Sequence, residues 1–414
     1  MARNLLAVKA FLCVLVLTSG GYLYLNDMLG SRAARLFQLA EGLTPPPRLG
    51  EMYDVVEMSD LAPVTSVPPT NATPVTLIPP TNTTPVTLIP PTNTAPITLI
   101  PPSRRVRYAN LSGLGFPLPV LTCQPKGRLG NLMGEYATLW SLRRSYHVTA
   151  LVSPKMKTSL RMFPSLSLPA LGAPAAPPGA PGPSPRQHPR VEWRKVGRSG
   201  GSYYNFSLVE TAAAGLLGPH HFQIQNSPFE MQLFGRFKDD LRREFTFSEG
   251  LRDQAQRFLS QVKQGQRARG VPGAEPMWVG LHVRRTDYSA HVKKLFRGGL
   301  PGVGFLERAM AHFREKLGGG VAFVAASDDP RFIKATLSRH ADVYFAPGKP
   351  PELDMAVLAS CNHSIITLGS FSFWTGFLTG GEVVYPDVRF RRPYRFARKM
   401  YEAAHLDNFT PLPA

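Results

Sequence analysis

Cysteine is scarce in this 414-residue chain: three are present, too few for a disulfide scaffold or for a zinc site of four thiolates. Acidic residues are also few, 28 against 47 lysines and arginines, and the resulting formal charge of +19 suits anionic partners such as nucleic acid, a membrane surface or a phosphorylated small molecule. Only 18 % of residues are charged while 43 % are hydrophobic, which excludes global disorder and requires the 41 prolines to be clustered. No Asp-x-Asp triplet occurs.

What is present first is an apolar run. Sixteen uncharged residues, Ala10 to Leu25, follow Arg3 and Lys9, and with Leu5 to Val8 the run approaches the ~20 residues that cross a bilayer. A cleaved signal peptide has a similar pattern, with Ser19-Gly20-Gly21 as its cleavage region; Tyr22 to Leu25 continue the apolar run past that point and favour a retained anchor. Next comes an eleven-residue repeat, Pro-Pro-Thr-Asn-x-Thr/Ala-Pro-Val/Ile-Thr-Leu-Ile, beginning at Pro68, Pro79 and Pro90. Three prolines per repeat exclude a coiled coil, so the segment is expected to be an extended, glycosylated stalk with acceptor asparagines Asn71 and Asn82. A tail at 1–4, an anchor at 5–25 and a stem at 26–105 place the remainder in the lumen, the plan of a type II Golgi membrane enzyme; any anchored surface protein shares it. Residues 1–103 carry five basic and six acidic groups, which leaves +20 for 104–414. A luminal location makes nucleic acid an unsuitable partner, leaving nucleotide-sugar phosphates, acidic glycans or simple solubility. Asn110, Asn205 and Asn408 head further glycosylation triplets.

The globular part alternates strands and helices. Apolar positions at 251, 255, 258, 259 and 262 behind Ser248 predict an amphipathic helix. Strands are expected at 277–283, 321–326, 342–346, 364–368 and 383–385, separated by helices at 305–317, 330–338, 352–360 and 371–378. Five strands joined by crossovers imply an α/β fold with a parallel, doubly wound sheet, whose ligands bind beyond the carboxyl ends of the strands. Those ends carry His282-Val-Arg284-Arg285-Thr-Asp287-Tyr288, Ser327-Asp328-Asp329 and Gly369-Ser370-Phe371-Ser372. Adjacent arginines offer planar donors to a pyrophosphate, and the serines with free N–H groups at a helix start make an anion seat. An ion pair with Asp287 or a solvated face accounts equally for the arginines taken alone, and a plain helix cap accounts for 327–329.

Gly127-Arg-Leu-Gly130-Asn131-Leu-Met-Gly-Glu-Tyr-Ala-Thr138, His282 to Tyr288, and Asp354-Met-Ala-Val-Leu-Ala-Ser-Cys-Asn-His363 with Gly369 to Trp374 resemble, in order and spacing, the galactoside alpha-1,2-fucosyltransferases. The resemblance covers roughly residues 120–390. It implies two Rossmann-like halves of glycosyltransferase B type, an acceptor-side half at 106–270 with a Pro-rich loop at 169–189 and a donor half at 271–414, behind the anchor and stalk. The implied activity is metal-independent, inverting transfer of L-fucose from GDP-fucose to the 2-hydroxyl of a terminal galactoside glycan, with no cofactor. By position, Arg284 neutralises the departing diphosphate, and His282, Arg285 and Asp287 complete its loop. Asp354 binds the guanosine end; Ser370, Phe371 and Ser372 hold the pyrophosphate; Gly127, Gly130 and Asn131 approach the donor from the first half.

The chain departs from that pattern in two places. Thr286 stands where the family has Gly and related alpha-1,6 enzymes have Thr, so a fucosyltransferase of another linkage remains an alternative. Leu132 stands where the family has Gln, and together with the Pro-rich loop it supports a second class, a tethered glycan-binding protein without turnover. Asp287, His291 and Glu135 are the candidates for deprotonating an acceptor hydroxyl. Spacing does not decide whether Cys123 and Cys361 pair.

Overall fold

A computed structural model of the chain describes residues 97–172, 191–199, 203–225, 227–268, 276–318 and 320–414. The expected anchor, Asn71, Asn82, the first two repeats and residues 173–190 of the Pro-rich loop lie outside the described residues. Among the described residues no helix is long and apolar enough to cross a membrane.

The first half builds β1 (Val120–Cys123), α1 (Leu129–Tyr146), β2 (Thr149–Ala150), α2 (Pro154–Ser159), β3 (Trp193–Val196), a ribbon of β4 (Arg198–Ser199) and β5 (Tyr203–Tyr204), α3 (Phe206–Ala213) and β6 (His221–Ile224). Its sheet is parallel, in the order β2-β1-β6-β3. Three helices lead to the second half: α4 (Met231–Phe234), α5 (Lys238–Glu244) and α6 (Glu249–Ala268). There β7 (Met277–Val283), α7 (Tyr288–Phe296), α8 (Val303–Leu317), β8 (Val321–Ser327), α9 (Pro330–Leu337), β9 (Val343–Phe345), α10 (Pro351–Ala359), β10 (His363–Ile366), α11 (Ser370–Thr379), β11 (Val383–Asp387), α12 (Arg398–Ala403) and β12 (Phe409–Pro413) follow. This sheet is parallel too, in the order β12-β11-β10-β7-β8-β9. The chain winds from β7 outward to β9, then crosses back to β10 and outward to β12. That is the order of a dinucleotide-binding sheet, and its reversal falls between β7 and β10.

The central strands of the second sheet, β7, β8, β10 and β11, are buried on both faces, as a parallel sheet covered by helices requires. Val279, Leu281, Phe305, Phe313 and Phe323 fill one side. On the other, α11 drives Phe373, Trp374 and Phe377 into the first half, where the Trp374 ring meets Phe245 at 4.9 Å and Phe234 at 5.6 Å. One continuous core therefore joins the halves. Leu132 belongs to that core, and Cys123 and Cys361 are both buried free thiols.

Three expectations are corrected. The stem does not run free to residue 105: the Ile97 N–H donates to Gln232 Oε1 (2.9 Å), that of Ile100 to Glu210 Oε1 (3.1 Å), and the Arg105 guanidinium to Ser145 O (2.6 Å) while it sits 4.3 Å from the Tyr146 ring centroid. The apolar end of the third repeat, Ile97-Thr-Leu-Ile100, is thus docked on the first half, because Leu99 and Ile100 find its core. Two elements were unforeseen, α7 directly after the arginine loop and β12, whose two prolines are tolerated because it is an edge strand. The Asn408 side-chain nitrogen donates to Gly381 O (2.6 Å), and Asn110 is exposed.

Candidate active site at the strand ends

The end of β7 lies at the point where the sheet order reverses, and β8 and β10 flank it. The Arg284 N–H donates to Thr367 Oγ1 of β10's exit (2.8 Å), and that of Arg285 to Asp328 Oδ1 of β8's exit (2.8 Å). Both sides therefore fix the backbone of the loop. The Arg284 guanidinium, 13 % exposed, is held between the carboxylates of Asp287 and Asp328 and donates to Thr286 Oγ1 (2.9 Å). The Arg285 side chain turns the other way, with its guanidinium carbon 3.6 Å from the Phe332 ring centroid. Successive residues leaving a strand point to opposite sides, and here only Arg284 faces the crevice.

Burial by itself would raise the Asp287 carboxyl, but the Arg284 charge and hydrogen bonds from Thr286 and Arg284 hold it below the usual value. Asp287 is thus an anion committed to arginine, and its second oxygen accepts from Arg128 of the first half (3.2 Å). His282 is buried, its Nδ1 2.6 Å from Ser372 Oγ and its ring 4.7 Å from that of Phe371. Desolvation, then the nearby Arg284 charge, push its pKa down to about 3, so the imidazole is neutral and braces the start of α11.

Two helices begin at this crevice and neither has a side-chain cap. α11 starts behind Gly369, whose φ of 96° only glycine adopts without strain, and α1 starts behind Arg128. Uncapped N–H groups and the positive ends of two helix dipoles so converge on one place. The starts touch: a Cβ on Gly130 would lie 2.6 Å from Phe371 N and 2.7 Å from Ser370 C, both backbone atoms. Ser370 Oγ donates to Asn131 Oδ1 (2.7 Å) and Trp374 Nε1 to Gly130 O (2.9 Å). Gly127, at φ 87°, turns the loop that leads into α1.

Asp354 stands apart, behind β9, where Oδ1 accepts from Gly348 N–H (2.8 Å) and burial raises its pKa. Its other oxygen takes no hydrogen bond from the described residues. Glu135 is wholly buried beneath the Gly127 loop, accepting from Ser227 Oγ (2.5 Å) and Lys126 N–H (3.1 Å), and desolvation lifts it to about 7. His291 on α7 is exposed, stacks on Tyr288 at 5.1 Å, and has its pKa lowered chiefly by desolvation.

Arg284, Asp287, His282, Ser370, Phe371, Ser372, Gly130 and Asn131 are therefore gathered at one crevice, with Gly127 at its edge and the Arg285 side chain turned away from it onto Phe332. Sequence reasoning places Asp328 at a strand end but accounts for it as part of a helix cap, and it misses Thr367. For Asp328 a signal existed: Asp329 Oδ1 accepts from Phe332 N–H and is the helix cap, which leaves its neighbour free for other work. Thr367 carries no such signal.

Residues 204–410 match the family described as Glycosyl transferase family 11. Galactoside 2-alpha-L-fucosyltransferase Sec1 of Mus musculus is 31% identical over 303 residues, 71% of this chain and 74% of that protein. Galactoside alpha-(1,2)-fucosyltransferase 1 of Rattus norvegicus is 33% identical over 289 residues, covering 66% and 69%. Among solved structures, a POFUT1 complex with GDP covers 71% of this chain and 98% of its own at 9% identity, with a TM-score of 0.39, too loose a likeness to argue from. The fold is α/β with two parallel sheets, and the chain belongs to glycosyl transferase family 11.

Proposed function

We propose that this chain is an inverting galactoside 2-alpha-L-fucosyltransferase of two-half, glycosyltransferase B arrangement, which uses GDP-fucose as donor and a terminal galactoside as acceptor. The observation that carries the reading is Arg284, fixed at the sheet's reversal point and facing a crevice where two uncapped helix starts meet. The names of the relatives supply the transferred sugar, the acceptor class and the linkage, and the sequence resemblance supplies GDP-fucose as donor. In the reaction the acceptor hydroxyl attacks the fucose anomeric carbon from one face, the bond to the GDP oxygen breaks on the other, and the hydroxyl proton leaves to a base. Negative charge grows on the departing diphosphate, so a prepositioned guanidinium and helix-start N–H groups stabilise the transition state more than the ground state. Asp287 and Asp328 hold the Arg284 fork in place before the donor arrives. Asp354 takes the guanosine end. Of the three candidate bases, Asp287 is tied to arginine and Glu135 is sealed from the crevice; His291, exposed and with a lowered pKa, is assigned the proton.

The reading includes metal independence, since fixed cations take the role a metal would fill. It also makes the protein a single-pass type II Golgi membrane protein with its catalytic part in the lumen, carrying glycans at Asn110 and Asn205 and in the stalk. The test is transfer from GDP-fucose to a panel of galactosides, with and without chelator, and NMR of the product. Alpha-1,2-linked product at rates within about twofold in chelator is expected. A different linkage, or loss of activity restored by Mn²⁺, refutes the corresponding part; no release of GDP with any acceptor, despite GDP binding, would favour the tethered glycan-binding protein. An unchanged gel mobility after endoglycosidase treatment would refute the luminal topology.

A further inference from the structure

Most of the +20 on the globular part is not used at the crevice. Residues 388–399 read Val-Arg-Phe-Arg-Arg-Pro-Tyr-Arg-Phe-Ala-Arg-Lys, with six cations and no acid. Arg398 pairs with Asp387 and Glu402, and Arg395 points inward at Ser227 O (3.3 Å). Arg389, Arg391, Arg392 and Lys399 are exposed, and no carboxylate among the described residues pairs with them. The end of α7 adds Lys293, Lys294 and Arg297, exposed and unpaired in the same way. The two segments are locked together. Arg392 N–H donates to Phe296 O (3.2 Å), and the Phe390 ring occupies the space a side chain at Gly298 would need. A cleft of about 440 Å³ opens here, lined among others by Phe390, Arg391, Arg392 and Lys399 and by two carboxylates, Asp387 and Glu402, both paired with Arg398.

Its location ties it to the crevice. Residues 388–399 leave the carboxyl end of β11, on the same rim as β7 and β10, and Tyr394 Oη lies 2.9 Å from Tyr288 Oη at the start of α7. α7 begins beside Asp287, and at 1.5 Å per residue its nine residues put the cationic end about 13 Å away, within reach of an oligosaccharide a few rings long.

We propose that this cleft is an anion subsite for the acceptor, receiving a carboxylate or sulfate ester on an inner ring of the glycan whose terminal galactose reacts. The proposal rests on the transferase reading and adds a substrate class to it: acidic glycans. Arginine forks match both oxyanions, and the half-buried Phe390 ring, tilted against the buried Tyr394 at 4.4 Å, gives the cleft an apolar floor suited to a sugar face. A concave, sugar-sized cleft fits one substituent better than it fits a bilayer.

Titration calorimetry on the full-length chain saturated with GDP tests it, with a galactose-terminated tetrasaccharide carrying one sulfate on its innermost ring against the same sugar unsulfated. The sulfated sugar should bind about tenfold more tightly at low salt, from two or three exposed ion pairs. The preference should fall below about twofold near 0.5 M salt and disappear in Arg391→Glu/Arg392→Glu. Should that variant fail to fold, Lys399→Glu, which lines the same cleft, reads the same ratio. Equal affinity in the wild type, or a preference that survives both charge reversals, overturns the subsite. Sedimentation with phosphatidylserine vesicles without any sulfate preference assigns the patch to a membrane instead and also overturns it. Transfer to the unsulfated sugar is scored separately: sulfate preference without transfer retains the subsite and sinks the transferase reading.

Discussion

The six-stranded and four-stranded sheets each start a helix at the same crevice, yet they bring different things to it. The second half brings charge and chemistry: Arg284, the carboxylates that aim it, and the start of α11. The first half brings shape, a glycine at the point of closest approach and, beneath it, a buried carboxylate that holds the loop. The difference follows from what leaves the strands. Both sheets reverse their order, at β7 between β8 and β10 and at β1 between β2 and β6; after β7 a charged loop projects into the gap, whereas after β1 the chain leads into α1, whose start packs on that of α11. Substitutions in the second half should therefore act on turnover, and those in the first half on stability and fit.

The largest effect is expected at Arg284. Arg284→Lys keeps the charge and loses the fork, at a cost of about 3 to 4 kcal/mol in the transition state, roughly 10² to 10³ in single-turnover rate at saturating GDP-fucose. Arg285→Lys, whose guanidinium lies on Phe332, should cost far less. A larger loss at Arg285 would reverse the two roles.

Glu135 comes next, and its effect is on stability. Burial raises its carboxyl from 4.5 to about 7, so between those values the folded chain keeps a proton that the unfolded chain has lost, and stability falls as pH rises through that window. Glu135→Gln removes this proton exchange. Relative to wild type the variant should gain about 2 to 3 kcal/mol between pH 4.5 and 8, read from urea midpoints; a constant difference across that range would mean the group is charged at both ends.

Gly130→Ala should destabilise by about 1 to 3 kcal/mol, since its methyl meets backbone on α11 that has nowhere to retreat. An unchanged melting temperature would show that the helix starts sit farther apart. The smallest effect is expected for Asp328→Asn: about a tenfold drop in kcat with GDP affinity kept, because an amide still accepts from Arg285 N–H but no longer steers the Arg284 charge. A fall in GDP affinity with kcat unchanged would make Asp328 part of the nucleotide site.

The same contrast governs what the sequence made legible. Strands such as Met277–Val283 and Val321–Ser327 are continuous apolar runs ended by charge, so the second sheet and its strand-end chemistry could be read directly. The first sheet is built from strands of two to four residues, too short to show a period, and only its glycine-rich helix start stood out. α7 is hard to read because Val292 is its one buried residue and leaves no apolar period, and β12 because prolines disguise an edge strand. That Gly130 serves helix contact, and that Asp328 aims an arginine 44 residues earlier in the chain, are facts of tertiary approach that no local pattern carries.

The central claim is that the diphosphate is gripped where the sheet order reverses. A crystal structure of the chain with GDP tests it most directly, since the cationic cleft at 388–399 offers the nucleotide a rival seat on the same rim. The account predicts the β-phosphate within hydrogen-bond reach of the Arg284 guanidinium and of the N–H groups at Ser370 to Ser372, with guanine toward Asp354. A diphosphate seated against Arg391 and Arg392, with Arg284 still closed on Asp287 and Asp328, would contradict it.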